Sequence, residues 1–165
     1  MISIFIVFAL INFSALGIGT LLMGTPRKNE WYQRVNKAPW TPPNWVFSVA
    51  WTTIMICFTF FLFIAARNES VQELQIVYII LGIQWFLNVV WNPVFFRWHK
   101  SALGLLLIIA LEGVVGWFMV WGFTHVGAAG ALLLPYFLWL LIAASLNGYV
   151  LFKNRNTPPL AHSMQ

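Results

Sequence analysis

The most informative property of this 165-residue sequence is its shortage of charge. Charged residues make up only 8% of the chain, whereas 61% of its residues are hydrophobic. A soluble domain keeps roughly a quarter of its residues charged to form a hydrated surface. The composition therefore excludes an ordinary soluble protein and favours a chain that lies within a lipid bilayer.

Cysteine is almost absent, and no arrangement of residues typical of a catalytic or metal site occurs. The single cysteine, Cys57, cannot form an internal disulfide and stands in an apolar run, as a small buried hydrophobe would. The four acidic residues and three histidines form no triad, carboxylate pair or phosphate loop. The sequence thus favours a non-enzymatic protein that requires no cofactor and no metal. Indole photochemistry would leave no motif, so enzymatic activity stays an alternative.

Five apolar runs are each long enough to cross a bilayer, which takes about 20 residues. They are residues 2–23, 44–66, 74–96, 102–123 and 128–152. We predict an all-α membrane protein in which residues 1–153 form one bundle of five transmembrane helices. The first run has no basic segment before it and is too long for a signal peptide, so we interpret it as a retained helix. Residues 24–43 form one long loop, and residues 154–165 are predicted to be a disordered tail.

Basic residues are distributed unequally between the two ends of the predicted helices. Eight of them follow the first, third and fifth runs: Arg27, Lys28, Arg34, Lys37, Arg97, Lys100, Lys153 and Arg155. Only Arg67 belongs to the other side. Because basic loops stay in the cytoplasm, we predict an external N-terminus, with the C-terminus and the long first loop cytoplasmic. The short loops and few charges favour a bacterial membrane. The net charge of +5 is thereby explained by topology, and no nucleic-acid partner is expected.

Polar and aromatic residues share helix faces in three of the runs. The faces comprise Phe47, Ala50, Trp51 and Ile54; Gln84, Asn88, Trp91 and Phe95; and Tyr136, Trp139, Ala143 and Asn147. Carboxamides are costly toward lipid, so these faces are expected to point into the bundle. An interior of indole, phenol and carboxamide groups suits a flat, mostly apolar ligand with a few polar edges. The alternative is a filled core in which asparagines hydrogen-bond between helices.

Glu112 is the one acidic residue well inside a predicted span. Because a carboxylate is costly to ionise in hydrocarbon, this residue is either a proton or cation site or a protonated group bonded to a carbonyl or an asparagine. The first interpretation would fit a transporter.

Three motifs carry a more specific pattern. The first runs from Trp31-Tyr32 and Lys37 through Pro39-Trp40-Thr41-Pro42-Pro43-x-Trp45-Val46-Phe47 to Trp51. The second is Gln84-x-x-x-Asn88-x-x-Trp91-Asn92-Pro93-x-Phe95-Phe96, and the third is Pro135-Tyr136-x-x-Trp139 followed by Ala143, Leu146 and Asn147. In this order, over about residues 10–153, they resemble the TspO/MBR family of tryptophan-rich sensory proteins and translocator proteins (peripheral benzodiazepine receptors).

The resemblance implies a receptor, sensor or carrier that binds tetrapyrroles of the protoporphyrin IX type, with sterols or other lipids as further ligands, and that often forms a homodimer. With Tyr136 added from the inward faces, the expected ligand-binding residues are Phe47, Ser48, Trp51, Asn88, Trp91, Tyr136, Trp139, Ala143, Leu146 and Asn147. The first loop would act as a lid through Trp31, Trp40, Pro42 and Pro43. The family's sterol-recognition stretch is echoed by Leu146, Tyr149 and Lys153.

Two further functions stay open. Some bacterial members are associated with light- and oxygen-dependent breakdown of protoporphyrin IX, for which Trp51 and Trp139 would be the oxidisable indoles. The chain would otherwise be a structural or interaction subunit of a membrane complex, with a core that holds no ligand.

Overall fold

The computed structural model describes residues 2–24 and 30–154, and nearly all of them are helical. The helices are α1 (Ile2–Met23), α2 (Glu30–Arg34), α3 (Asn44–Asn68), α4 (Val71–Asn92), α5 (Ser101–His125) and α6 (Leu134–Lys153). Within the described ranges, all except α2 belong to segments long and apolar enough to span a membrane, which makes five spans. The predicted class, an all-α membrane protein with five transmembrane helices, is confirmed. Of the predicted disordered tail, residues 155–165 lie outside the described residues.

The outer surface of the bundle is apolar. Leu10 on α1 is 66% exposed, and Leu21 is 81% exposed. Such surfaces would be unfavourable in water but match the acyl chains of a bilayer, where helices satisfy their own backbone hydrogen bonds. The exposed apolar belt therefore supports an integral membrane protein.

The five long helices close into a ring. α1 packs against α3 and α4, α5 packs against α4 and α6, and α6 returns to α3. Two polar contacts fasten α1 in place: the Asn12 carboxamide donates to Thr59 Oγ1 on α3 (2.9 Å), and Trp85 Nε1 on α4 donates to Ile11 O (3.1 Å). Hydrogen bonds of this kind hold helices together where lipid provides no hydrophobic driving force.

Packed aromatic side chains fill one half of the interior of the helix bundle. Phe58 on α3 meets Phe118 on α5 edge to face at 5.3 Å, and Phe61 also contacts Phe118. The short 3₁₀ segment Gly127–Leu133 approaches α5 so closely that a Cβ on Gly130 would lie 2.7 Å from a backbone atom of Phe123. This half of the bundle is tightly packed, which leaves the other half to hold a site.

The third span changes helix type near its end. The apolar run predicted a helix as far as residue 96, but α4 ends at Asn92 and continues as the π-helical turn Pro93–Arg97. Pro93 has no N–H to donate to the preceding turn, and its carbonyl accepts from Trp98 N–H at 2.9 Å. A π turn shifts the helix faces that follow it, and such turns often occur at functional sites.

The loop before α3 is ordered by local bonds. After α2, the four residues from Ala38 to Thr41 form a turn in which Thr41 N–H and Oγ1 both donate to Ala38 O, at 3.0 and 2.7 Å. Pro39 occupies the second position of this turn, where its fixed φ is favourable. The helix α3 then begins directly after Pro43.

Candidate functional site

A small cavity lies where this loop covers α4 and α6. Its lining residues come from the loop, the start of α3, the end of α4, the π turn and α6: Tyr32, Lys37, Thr41, Phe47, Trp91, Phe95, Phe96, Ala143, Leu146, Asn147 and Val150. Its volume is about 40 Å³, which is close to the space that one water molecule occupies. The site is therefore closed in this conformation.

Three buried polar atoms in the cavity lining have no hydrogen-bond partner among the described residues. They are Trp91 Nε1 and both carboxamide atoms of Asn147, a residue only 2% exposed. Leaving such an atom unpaired costs about 1–3 kcal/mol. The cavity thus presents two kinds of donor and one acceptor to anything that enters it.

The walls of the cavity are flat aromatic rings. Trp91 and Phe95 stack nearly parallel, 5.8 Å apart at 11°. Phe47 extends the aromatic surface toward α6, where it meets Trp139 edge to face at 5.3 Å. Rings with these orientations offer a broad apolar surface to a planar molecule.

The loop is attached to the bundle on both sides of the cavity. On one side, Trp31 stacks on His99 between α4 and α5, 4.5 Å apart at 21°. On the other, Asn36 N–H donates to Asn154 Oδ1 (2.9 Å), and Asn154 Nδ2 donates back to Asn36 O (3.2 Å). Trp40 Nε1 adds a bond to Ser145 Oγ at 3.2 Å. These contacts close the loop over the cavity.

Two titratable groups of this region respond to partial burial. Burial raises the pKa of the Tyr32 phenol, which therefore stays protonated at neutral pH. Burial lowers the pKa of the His99 imidazole, and a backbone hydrogen bond to Phe96 opposes that effect in part. The closed loop is thus favoured with His99 neutral.

Lys37 is the charged residue among the described residues that line the cavity. Its Nζ lies 4.4 Å from the centre of the Tyr32 ring, a cation–π distance. Arg34 in the same loop is paired with Glu30 at 3.0 Å, whereas no described carboxylate lies within 4 Å of Lys37.

Comparison with known proteins agrees with this architecture. The TspO/MBR family model matches residues 5–152. The chain belongs to the TspO/MBR family. It is 34% identical over 140 residues to the tryptophan-rich protein TspO of Archaeoglobus fulgidus, a match covering 85% of this chain and 90% of that protein. It is 32% identical over 133 residues to the tryptophan-rich sensory protein of Cereibacter sphaeroides (80% and 82% covered) and 28% identical over 121 residues to the translocator protein of Sus scrofa (72% and 71%).

Half of the residues expected to bind ligand in this TspO/MBR member line the cavity together. They are Phe47, Trp91, Ala143, Leu146 and Asn147. They come from α3, α4 and α6, which are the three helices whose faces the sequence assigned to the interior.

The other expected ligand-binding residues lie elsewhere. Tyr136 is buried, and its hydroxyl accepts from Gln84 Nε2 (2.7 Å) and Asn88 Nδ2 (3.2 Å). Trp51 packs edge to face on Tyr136, with ring centres 5.9 Å apart. These residues form a polar and aromatic layer next to the cavity but do not line it, and neither does Trp139. Ser48 is exposed and also lies outside the lining.

The residues expected in the lid lie around the cavity rather than inside it. Trp31 and Trp40 make the two attachments described above, while Pro42 and Pro43 lead into α3.

The residues of the sterol-recognition stretch are spread along α6. Leu146 lines the cavity, Tyr149 is covered by the Trp40 ring (5.4 Å), and Lys153 is exposed at the helix end. Tyr149, in the later part of this stretch, is therefore a contact point for the loop.

Six lining residues were absent from the expected site: Tyr32, Lys37, Thr41, Phe95, Phe96 and Val150. Sequence signals for most of them existed. Tyr32, Lys37, Phe95 and Phe96 stand in the family motifs, and Phe95 shares the inward face with Trp91. Val150 lies one helical turn after Asn147, so helical spacing alone points to it.

Two other features are distinct from this cavity. A larger groove of about 590 Å³ runs between α1 and α4, open to the outside of the bundle, and its lining includes Phe8, Tyr78 and Trp85 but none of the expected ligand-binding residues. Glu112 is half-buried on α5 and has no hydrogen-bond or ion-pair partner among the described residues. Neither feature adds to the site beneath the loop.

Proposed function

We propose that this TspO/MBR member is a membrane receptor, sensor or carrier that holds a tetrapyrrole of the protoporphyrin IX type beneath the first loop. The observation that carries the proposal is the set of unpaired polar atoms of Trp91 and Asn147 in an otherwise aromatic cavity. Buried polar atoms are usually paired, because each unpaired atom destabilises the protein. Trp121 Nε1, which packs against Phe61 in the aromatic half of the bundle, is also unpaired among the described residues, so the cavity is distinguished by having three such atoms together in its lining. A planar ligand with polar edges would satisfy them.

Ligand entry requires the loop to move. Pockets for molecules of this size occupy about 300–1,000 Å³, far more than the closed cavity provides. The loop is held by side-chain stacking and by a few hydrogen bonds at exposed positions, such as those between Asn36 and Asn154. Contacts of this kind open at little cost compared with unpacking the phenylalanine-rich half of the bundle.

Sterols are a second ligand class for the same space. The single hydroxyl group of a sterol would use fewer of the unpaired atoms than a tetrapyrrole would. Competition by cholesterol against bound protoporphyrin IX tests whether both occupy one site.

For the alternative function, light-dependent breakdown of the porphyrin, Trp91 is a further candidate for the oxidisable indole. Trp51 and Trp139 lie beside the cavity, whereas Trp91 is the indole in its lining. Light-dependent breakdown of a bound porphyrin would therefore depend first on Trp91. Illuminating the porphyrin complex and analysing the product by mass spectrometry tests this alternative.

The test of the main proposal is a titration of the purified protein in neutral detergent with protoporphyrin IX, followed by tryptophan fluorescence in the dark. We expect saturable quenching with micromolar affinity, about −8 kcal/mol. Asn147→Leu removes two unpaired buried atoms, so it should weaken binding about tenfold while leaving the thermal unfolding temperature unchanged or higher.

Asn88→Leu is the matched control, since its carboxamide is paired with Tyr136. It should lower the unfolding temperature, because it removes a satisfied bond. Unsaturable quenching in all three proteins would mean that porphyrin only partitions into the micelle, and the proposal would then be abandoned.

A further inference from the structure

We propose that the connecting turn between α4 and α5, residues 97–100, binds the headgroup of an anionic phospholipid, and that the bound lipid holds the first loop closed. The proposal goes beyond the proposed function, because it concerns the outer surface of the bundle and does not depend on which ligand the cavity holds. One span ends at Arg97 and the next begins at Ser101, so the connecting turn lies where the two helices leave the bilayer. All four of its residues are exposed.

The connecting turn presents two cations that the protein does not neutralise. Among the described residues, no carboxylate lies within 4 Å of Arg97 or Lys100. Glu30, the described carboxylate at this end of the bundle, is paired with Arg34 at 3.0 Å. A guanidinium group matches the oxygens of a phosphate, and an ammonium group attracts the same anion as a point charge. The two side chains together therefore favour a phosphate group.

The surface next to the connecting turn favours a lipid over a soluble phosphate. The Trp98 side chain is 57% exposed, and an indole at this level is stabilised in the headgroup layer of a bilayer. On α5, just after the turn, Leu103 and Leu106 are exposed and lie on one helix face, where they can contact acyl chains. A molecule that meets these groups together has an anionic headgroup and apolar chains, as phosphatidylglycerol has.

The connecting turn also supports the closed loop. His99 lies between the two cations, and the ring of Trp31 stacks on it at 4.5 Å. The backbone of the turn is fixed, because Trp98 N–H and Lys100 N–H donate to carbonyls of the π turn at 2.9 and 3.0 Å. A headgroup that bridges the two cations would restrict this turn to the conformation on which Trp31 stacks. By linkage, closure of the loop would strengthen lipid binding to the same extent.

The site is tested by titrating the full-length protein in non-ionic detergent with phosphatidylglycerol and, separately, with phosphatidylcholine, followed by native mass spectrometry. We expect phosphatidylglycerol to bind more tightly, and Arg97→Gln and Lys100→Gln each to weaken its binding about fivefold. Lys153→Gln is the matched control and should bind like the wild type, because Lys153 is an exposed cation at the same end of the bundle but outside the connecting turn. Gel filtration shows whether each variant is folded.

The effect on the loop is measured by hydrogen–deuterium exchange of the Asn36 amide, which is bonded to Asn154 when the loop is closed. In lipid nanodiscs, this amide should exchange more slowly in a mixture of the two lipids than in phosphatidylcholine alone. The difference should disappear in the double variant of Arg97→Gln and Lys100→Gln. In His99→Asn, phosphatidylglycerol should still bind while the difference in exchange is lost, because the stacking ring is absent.

Four results would count against the proposal. Equal affinities for the two lipids would overturn the site, and so would a loss in Lys153→Gln as large as in the two turn variants, since the attraction would then come from the general charge of this end. Displacement of the lipid by an equal concentration of inorganic phosphate would assign the turn to a soluble anion instead. Lipid binding without slower exchange at Asn36 would overturn the control of the loop. None of these results affects the proposed function, because no porphyrin is present.

Discussion

At the scale of single residues, the site is defined by two side chains whose polar atoms are buried without partners among the described residues. Trp91 comes from α4 and Asn147 from α6, and both line the cavity beneath the loop. Nearby Gln84 and Asn88 look similar in sequence, yet both are bonded to Tyr136. Carboxamides in this bundle are thus of two kinds: those of Gln84 and Asn88 fasten helices, whereas that of Asn147 has no hydrogen-bond partner among the described residues.

Gly104 gives a residue-scale prediction about the size of the cavity. A Cβ at this position of α5 would lie 2.9 Å from Asn147 Nδ2 and 3.3 Å from Phe95. Gly104→Ala should therefore push two lining residues into the cavity, destabilise the protein by about 1–3 kcal/mol and weaken porphyrin binding. Thermal unfolding and fluorescence titration measure the two effects.

Gly113→Ala is the matched control on the same helix, because nothing lies within 4 Å of the added Cβ. This change should leave binding unaltered and stabilise the helix by up to about 1 kcal/mol. If both alanine variants bound porphyrin like the wild type, the ligand would not contact the space between Gly104 and Asn147.

At the scale of elements, the loop and the π turn act together. Phe95 and Phe96 in the turn meet Tyr32 edge to face at 6.3 and 5.1 Å. His99, just after the turn, has φ of +56°, a left-handed conformation that is uncommon for residues other than glycine, although asparagine, aspartate and histidine adopt it more often than other side chains do. The end of the third span is therefore shaped to receive the loop.

The stack of Trp31 on His99 predicts a pH-dependent lid. Because burial lowers the pKa of His99 in the closed loop, a proton binds more readily once the stack opens. The free energy by which this stack favours the closed loop is fully present at pH values above the ordinary pKa of histidine. It is lost as the pH falls through the lowered pKa of His99. Acidification from about pH 7.5 to about 5.5 should therefore open the loop more often.

Hydrogen–deuterium exchange of the Asn36 amide, which donates to Asn154 Oδ1 at the end of α6 in the closed loop, reports this opening. His99→Asn tolerates the left-handed backbone but removes the ring. It should show faster exchange at all pH values, and the ratio of variant to wild type should approach one as the pH falls. A ratio that does not change with pH would contradict the role of His99.

At the scale of the whole molecule, the bundle is asymmetric across the membrane. The end that carries the loop and the cavity holds Lys37, Arg97 and Lys100, whereas the other end holds Arg67 and the pair formed by His125 and Glu73 at 3.6 Å. Because the number of spans among the described residues is odd, the start of α1 and the end of α6 lie at opposite ends of the bundle.

This asymmetry predicts that the cavity opens toward the cytoplasm. A green fluorescent protein fused after Gln165 should be fluorescent, and alkaline phosphatase fused there should be inactive, because basic loops are retained inside. The same two reporters fused after Asn68 should give the opposite pair of signals. Reversed signals at both positions would place the loop outside and turn the proposed entry route around.

Much of this architecture was predictable because its causes are local. Long apolar runs specify spans wherever they occur, and the prolines at 42 and 43 favour the start of α3 at Asn44, where the structure has it. Helical spacing also identified which faces of α3, α4 and α6 turn inward, since that periodicity depends only on the geometry of one helix.

The identity of the cavity lining depended on the tertiary structure instead. The π turn shifts the register at the end of the third span, and spacing on a regular helix does not reveal it. The loop is placed by contacts between residues more than 100 positions apart, such as Asn36 with Asn154 and Trp40 with Ser145. Sequence alone thus determined a five-helix membrane bundle of this family. Only the packing of helices and loop decided that Lys37 and Asn147 meet one cavity while Trp51 stays beside it, because that choice depends on how distant segments fit together.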